Sequence, residues 1–191
     1  MSQQEDIFER FLTDANDQIL KRLKEMEEAK LHARKVYAYA ERIFDKVAGR
    51  LDMSDYRSAL LYGAAYHNLG SYYRAKEGKT YQSAELGAEK CRELLDKTRL
   101  RKREKTAAEI IVRYFEDKGE PVPDEAMKDF SDKAKIQTLV DIVQVADVLA
   151  QKAEGGKAKS DKAKKELEKF IKKDSPKAKI IMKAAEDVWS E

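Results

Sequence analysis

Apolar positions near the start of the chain run Phe8, Leu12, Ala15, Ile19, Leu23 and Met26, a three-and-four spacing that paints one stripe along a helix. Such a stripe can cover the core or meet a second subunit, and spacing alone does not choose. The same kind of periodicity predicts further helices at about 29–48, 54–72, 82–96, 105–117, 131–152, 161–172 and 176–189. Gly49, the region of Gly78, Gly119 to Pro123 and Gly155-Gly156 interrupt the pattern. Ser54, Ser131 and Ser175 stand where a hydroxyl can accept the first free amides of the helices that follow, and Pro176 suits a first helical position. Heptads do not persist beyond the first helix and no solenoid repeat is present, so neither a rod nor an array is expected. The prediction is an all-α chain: an extra amphipathic N-terminal helix over 1–28, then one compact helical domain over 29–191.

Composition supports this. The 191 residues suffice for one domain with a core, and 8 glycines and 3 prolines leave few breaks between helices. Thirty-nine basic and 36 acidic side chains nearly cancel, so no global field favours a polyanion and nucleic acid is not an expected partner. The one dense basic run, Lys97 to Lys105, reads as solvated surface. A single cysteine, Cys91, excludes an intramolecular disulfide and reads as packing. No basic-then-apolar leader opens the chain, and the longest nearly apolar stretch, Leu60 to Tyr66, is too short to span a bilayer. A cytoplasmic protein without membrane contact is expected.

Three ionisable residues stand where aliphatic side chains belong. His32 shares a helical face with Ala29, Val36, Tyr39 and Ile43, and His67 follows Leu60, Gly63 and Ala64. Asp147 lies in LVDIVQVADVLA on a face with Ile136, Val140, Val143 and Ala150. Burying an unpaired carboxylate costs several kcal/mol or forces it to neutralise, so Asp147 needs a histidine, a metal ion or both. A hydrogen-bonded core cluster and a ligand site both satisfy these residues. The series Tyr56, Tyr62, Tyr66, Tyr72, Tyr73 and Tyr81 reads as structural, with apolar bodies buried and hydroxyls wet, although a base could stack there.

Order along the chain adds a resemblance. A helical His32, an apolar helix ending in AAYHNLG at 64–70 and a late VAD at 145–147 together resemble the HD phosphohydrolase superfamily. That family's signature is a His, a His-Asp pair and a distant Asp, binding divalent metal in an all-helical fold. Four further segments are similar to its HD-GYP branch, whose active members hydrolyse cyclic di-GMP: SAELGAEKCREL at 83–94, IIVRYFEDKGEPVP at 110–123, AKIQTLVDIVQVADVLA at 134–150 and KDSPKAKIIMKAA at 173–185. Asn68 stands where the resemblance expects the paired Asp, Ser83, Tyr114 and Phe115 where it expects histidines, and Ser71 where it expects a lysine.

The resemblance then implies a metal site made of His32, His67, Asn68 and Asp147, eroded enough to hold a single divalent ion or none. Asn68 offers a neutral amide oxygen, a poorer ligand for transition metals than a carboxylate. The expected function is that of a degenerate HD-domain protein, catalytically impaired, acting in signalling or regulation by binding a partner protein or a nucleotide. The alternative is a mononuclear phosphohydrolase acting on a nucleotide or phosphomonoester, and a homodimer through the first helix belongs to a third, scaffold-like reading.

Overall fold

A computed structural model describes residues 3–77, 83–154, 165–167, 170 and 175–190, with the side chains of 3–16, 18, 19 and 83 aside. The described residues are mainly helical and contain no strand. They form α1 (Gln3–Leu51), a short 3-10 turn (Ser54–Tyr56), α2 (Arg57–Tyr66), α3 (Leu69–Glu77), α4 (Ser83–Leu95), α5 (Lys102–Tyr114), α6 (Lys133–Ala153) and α7 (Pro176–Ser190). None of these helices is long and apolar enough to cross a membrane.

The break expected between residues 28 and 29 is not there. α1 runs unbroken for 49 residues, roughly 74 Å at 1.5 Å per residue. Lys24 with Glu28 and Glu27 with Lys30 pair across successive turns at 3.9 and 3.7 Å, which supports the helix through that point. Gly49 does not stop it either; α1 ends at Leu51, and Asp52 takes the left-handed conformation (φ 51°) that closes a helix. Leu20 and Leu23 are 62% and 54% exposed, so that stretch of the stripe does not cover the core. From Val36 the helix turns inward: Val36, Ala40, Ile43, Phe44 and Val47 are buried at helical spacing.

α6 is the centre of the molecule. Thirteen of its residues are buried, on all sides of the helix, as expected for an element enclosed by others. α1 and α7 pack on it, and α2 and α5 approach from another side. α2 lies against α5, α3 against α4, and α4 against α5, where Cys91, Leu95, Ala108 and Val112 form a smaller cluster. Gly63 lets α2 and α5 close: a Cβ there would stand 2.6–2.8 Å from the Ile111 side chain.

Three predicted boundaries shift for local reasons. The helix expected over 54–72 is broken at His67-Asn68. In an unbroken helix the Ala64 carbonyl would receive the amide of residue 68; here it takes the His67 Nδ1–H at 2.7 Å. Ser54 and Ser131 are not caps: Tyr56 precedes α2 without a side-chain cap, and Asp132 rather than Ser131 accepts the Lys135 amide at the start of α6. α5 starts at Lys102 and ends at Tyr114, and the Glu104 carboxylate accepts the Arg101 amide at its start. Ser175 does accept the Ala178 amide, at 3.1 Å, with Pro176 first in α7. The predicted helix at 161–172 and Tyr81 fall largely or wholly outside the described residues.

Candidate metal centre

Three parts of the fold deliver the centre. His32 comes from the middle of α1, His67 and Asn68 from the break between α2 and α3, and Asp147 from α6. The rings of His32 and His67 lie 5.4 Å apart. One ligand atom from each of His32, His67 and Asp147 lies within 4.8 Å of the other two. Asn68 lines the same cavity, of about 350 Å³, together with Phe115, Glu116, Lys118, Gln151 and Glu166.

Asp147 is 3% exposed and uses both oxygens. Oδ1 accepts from His32 Nε2 at 2.7 Å. Oδ2 accepts from Gln151 Nε2 at 2.8 Å and pairs with the Lys118 ammonium at 2.5 Å. Burial alone would raise its pKa, but His32, Lys118 and His67 outweigh that and hold the carboxyl far below the ordinary carboxylate range. It is ionised and neutralised within the cluster.

His32 faces two carboxylates, since its Nδ1 meets Glu154 Oε1 at 2.8 Å. Both ring nitrogens then donate, which makes the ring an imidazolium in the metal-free chain. Burial works against that charge, yet Asp147 and Glu154 together raise the pKa above the ordinary 6.5. Glu154 follows the last residue of α6, where the helix dipole disfavours an anion; His32 and the Lys35 ammonium at 3.5 Å compensate.

His67 is the opposite case. Its Nδ1–H donates to Ala64, so Nε2 is a bare lone pair, and this atom is buried with no hydrogen-bond partner. Burial pushes the ring down to about 4, so it is neutral at pH 7. Phe115 packs edge to face on it at 5.0 Å, which makes Phe115 core rather than ligand, and Tyr114 is packed against the same core.

These donors fit a single divalent ion. An orphaned, buried imidazole nitrogen is costly unless something accepts its lone pair. A ligating histidine ordinarily donates its other nitrogen to a carbonyl or carboxylate, which is what Ala64 does for His67 and Glu154 for His32. A cation would take the place of the His32 Nε2 proton beside Asp147 Oδ1.

Lys118, Gln151, Glu154 and Glu166 belong to the centre although sequence reasoning did not single them out. Gln151 and Glu154 follow Asp147 by four and seven residues, on the same face of α6, and that periodicity was available. Lys118 lies in an ordinary-looking polar turn and carries no such signal. Among the described members of the tyrosine series, Tyr62, Tyr66, Tyr72 and Tyr73 are half-buried and Tyr56 is buried. The basic run is engaged at the surface: Arg103 meets the Tyr56 phenol and the Phe130 ring, and Lys105 pairs with Asp96 at 3.7 Å. Cys91 is fully buried, with its thiol pushed up to about 12 by burial and Glu109, and is inert packing.

No curated protein and no solved structure matches the chain. The sequence pattern of the HD domain does, over residues 31–152, a span that contains His32, His67, Asn68 and Asp147 and the helices that bring them together. An all-α fold, an ordered His, His-Asn and Asp, and their convergence on one cavity agree with that match over more than half of the chain: it belongs to the HD domain family, within the metal-dependent phosphohydrolase superfamily.

Proposed function

We propose that this chain is a single-ion HD domain that binds a phosphorylated ligand, a nucleotide above all, and is impaired in hydrolysing it, so that it serves signalling or regulation by binding. The observation that carries this reading is the engagement of Asp147, whose Oδ1 faces His32 and whose Oδ2 is held by Lys118 and Gln151. One ion can enter beside Oδ1; a second has no free carboxylate oxygen on Asp147 and meets an amide, not a carboxylate, at Asn68.

A bound divalent ion supplies Lewis acidity toward a phosphoryl group. His32, His67 and Asp147 would hold it. Glu154 and the Ala64 carbonyl orient the two imidazoles, and Gln151 fixes the Asp147 carboxylate. Phe115 walls the cavity with an apolar face. A second cavity of about 500 Å³ adjoins the first, sharing His32 and Asn68, and presents Lys35, Ser71 and Arg74. A ligand of nucleotide size can extend from the centre into it, within the size range of small-molecule sites. The four segments similar to the HD-GYP branch support a reading nearest that type, without its full ligand set.

The test uses protein purified without a histidine tag, loaded with manganese and offered cyclic di-GMP, nucleoside phosphates and phosphomonoesters. Ligand-dependent thermal stabilisation without product on chromatography is the expected result. A second reading rests on the bare His67 Nε2, which suits a working mononuclear phosphohydrolase. Turnover that disappears in both His67→Ala and Asp147→Ala would establish that reading and end the first.

A further inference from the structure

Lys118 is held at the centre by an arrangement that has no need of a surface lysine. It lies in the turn after α5, immediately before Gly119, whose φ of 85° is a conformation that favours glycine. The fully buried Gln144 of α6 fastens that turn. Its amide donates to the carbonyls of Tyr114 at 3.0 Å and Asp117 at 3.1 Å, and its oxygen accepts the Gly119 amide at 3.4 Å. The lysine side chain is thereby brought in, 10% exposed, with Nζ 2.5 Å from Asp147 Oδ2 and 2.8 Å from Glu166 Oε2.

We propose that the Lys118 ammonium is a built-in replacement for a second metal ion, bridging Asp147 and Glu166 where a second divalent cation would otherwise bridge them. The inference rests on the single-ion reading above and explains why one ion is the limit. Two carboxylates in a confined cavity require a cation between them. An ammonium so close to Oδ2 repels any divalent ion approaching that oxygen. His32, Nδ1 turned to Glu154, lies on the other side of Asp147 and leaves the Oδ1 side to the first ion.

The proposal is tested by counting ions per chain in manganese-saturated protein after gel filtration, by elemental analysis, for the wild type, Lys118→Ala, Lys118→Gln and Lys118→Arg. Lys118→Ala and Lys118→Gln should each bind one more ion than the wild type, and Lys118→Arg none more. If the wild type binds one, the spin-coupled signature of paired manganese should appear in the electron paramagnetic resonance spectrum of the neutral variants only. The difference between variant and wild type tests Lys118, whereas the wild-type count tests the single-ion reading: zero ions in the wild type and one in Lys118→Ala would sink that reading and sustain this one. A wild-type count of two overturns the proposal without recourse to any variant. So does an unchanged count in whichever neutral variant folds.

Discussion

At the scale of single residues, the centre is a charge-balanced network whose members cannot be removed one at a time. Asp147→Ala leaves the buried Lys118 ammonium with Glu166 alone and the His32 ring with Glu154 alone, and breaking a buried ion pair from one side costs about 3 kcal/mol or more. Urea denaturation of the metal-free variant should show that loss in the midpoint; an unchanged midpoint would mean the network contributes nothing to folding. The two histidines make stability depend on pH in opposite senses. His67 falls from an ordinary 6.5 to about 4, so between these values the unfolded chain binds a proton that the folded chain refuses. Its contribution is complete above about pH 6.5 and is lost as pH falls toward 4, a difference of 2.5 units or roughly 3 kcal/mol at 1.36 kcal/mol per unit. His32 is raised, so its contribution is complete below 6.5 and is lost as pH rises through its folded pKa. Asp147, depressed, adds stability above its ordinary 3.8 that disappears only at lower pH. Denaturation in the presence of a chelator should therefore peak between about pH 6 and 7, and His67→Leu should remove the acid-side decline.

At the scale of elements, two glycines predict opposite responses to the same substitution. Gly49 is an exposed position inside α1 where an added Cβ meets nothing within 4 Å, so Gly49→Ala should stabilise the protein by about 0.5–1 kcal/mol through helix propensity. Gly63 faces the Ile111 side chain, including its own Cβ at 2.8 Å, which cannot swing aside as a flexible tip would. Gly63→Ala should push α2 from α5 and cost about 1–3 kcal/mol. Thermal melts of the two variants side by side check both signs. The same α2 also shows how function and secondary structure compete: the carbonyl that would continue the helix at Ala64 instead orients His67.

At the scale of the whole molecule, α6 is the post to which the centre is tied, and α1, the α2–α3 break and the α5 turn each bring one group to it. A ligand that bridges three such elements stabilises the entire fold by mass action. Manganese or zinc at a hundredfold excess over its dissociation constant should stabilise the wild type by about 2.7 kcal/mol. Differential scanning calorimetry should show the corresponding rise in Tm, and His67→Ala, which removes the bare nitrogen and none of the hydrogen bonds to Asp147, should abolish it. An equal rise in both proteins would place the ion elsewhere.

Much of this was legible from residue types and short spacings, because both are local properties. Periods of three and four marked the helices, and polar residues on apolar stripes marked His32, His67 and Asp147 as inward, since an ionisable group on a buried face needs a partner whatever the fold. Local signals also misled where several compete: Gly49 read as a stop, yet neighbouring turns carry α1 past it to Asp52. Only tertiary structure could decide which partners the inward groups take. Glu154 lies 122 residues from His32, and its reach depends on how α6 ends against α1. Lys118, drawn from a turn by the buried Gln144 amide and set between Asp147 and Glu166, has no period, motif or apolar neighbourhood to announce it. Its role follows from the packing of α5 on α6, a long-range arrangement that sequence spacing does not encode.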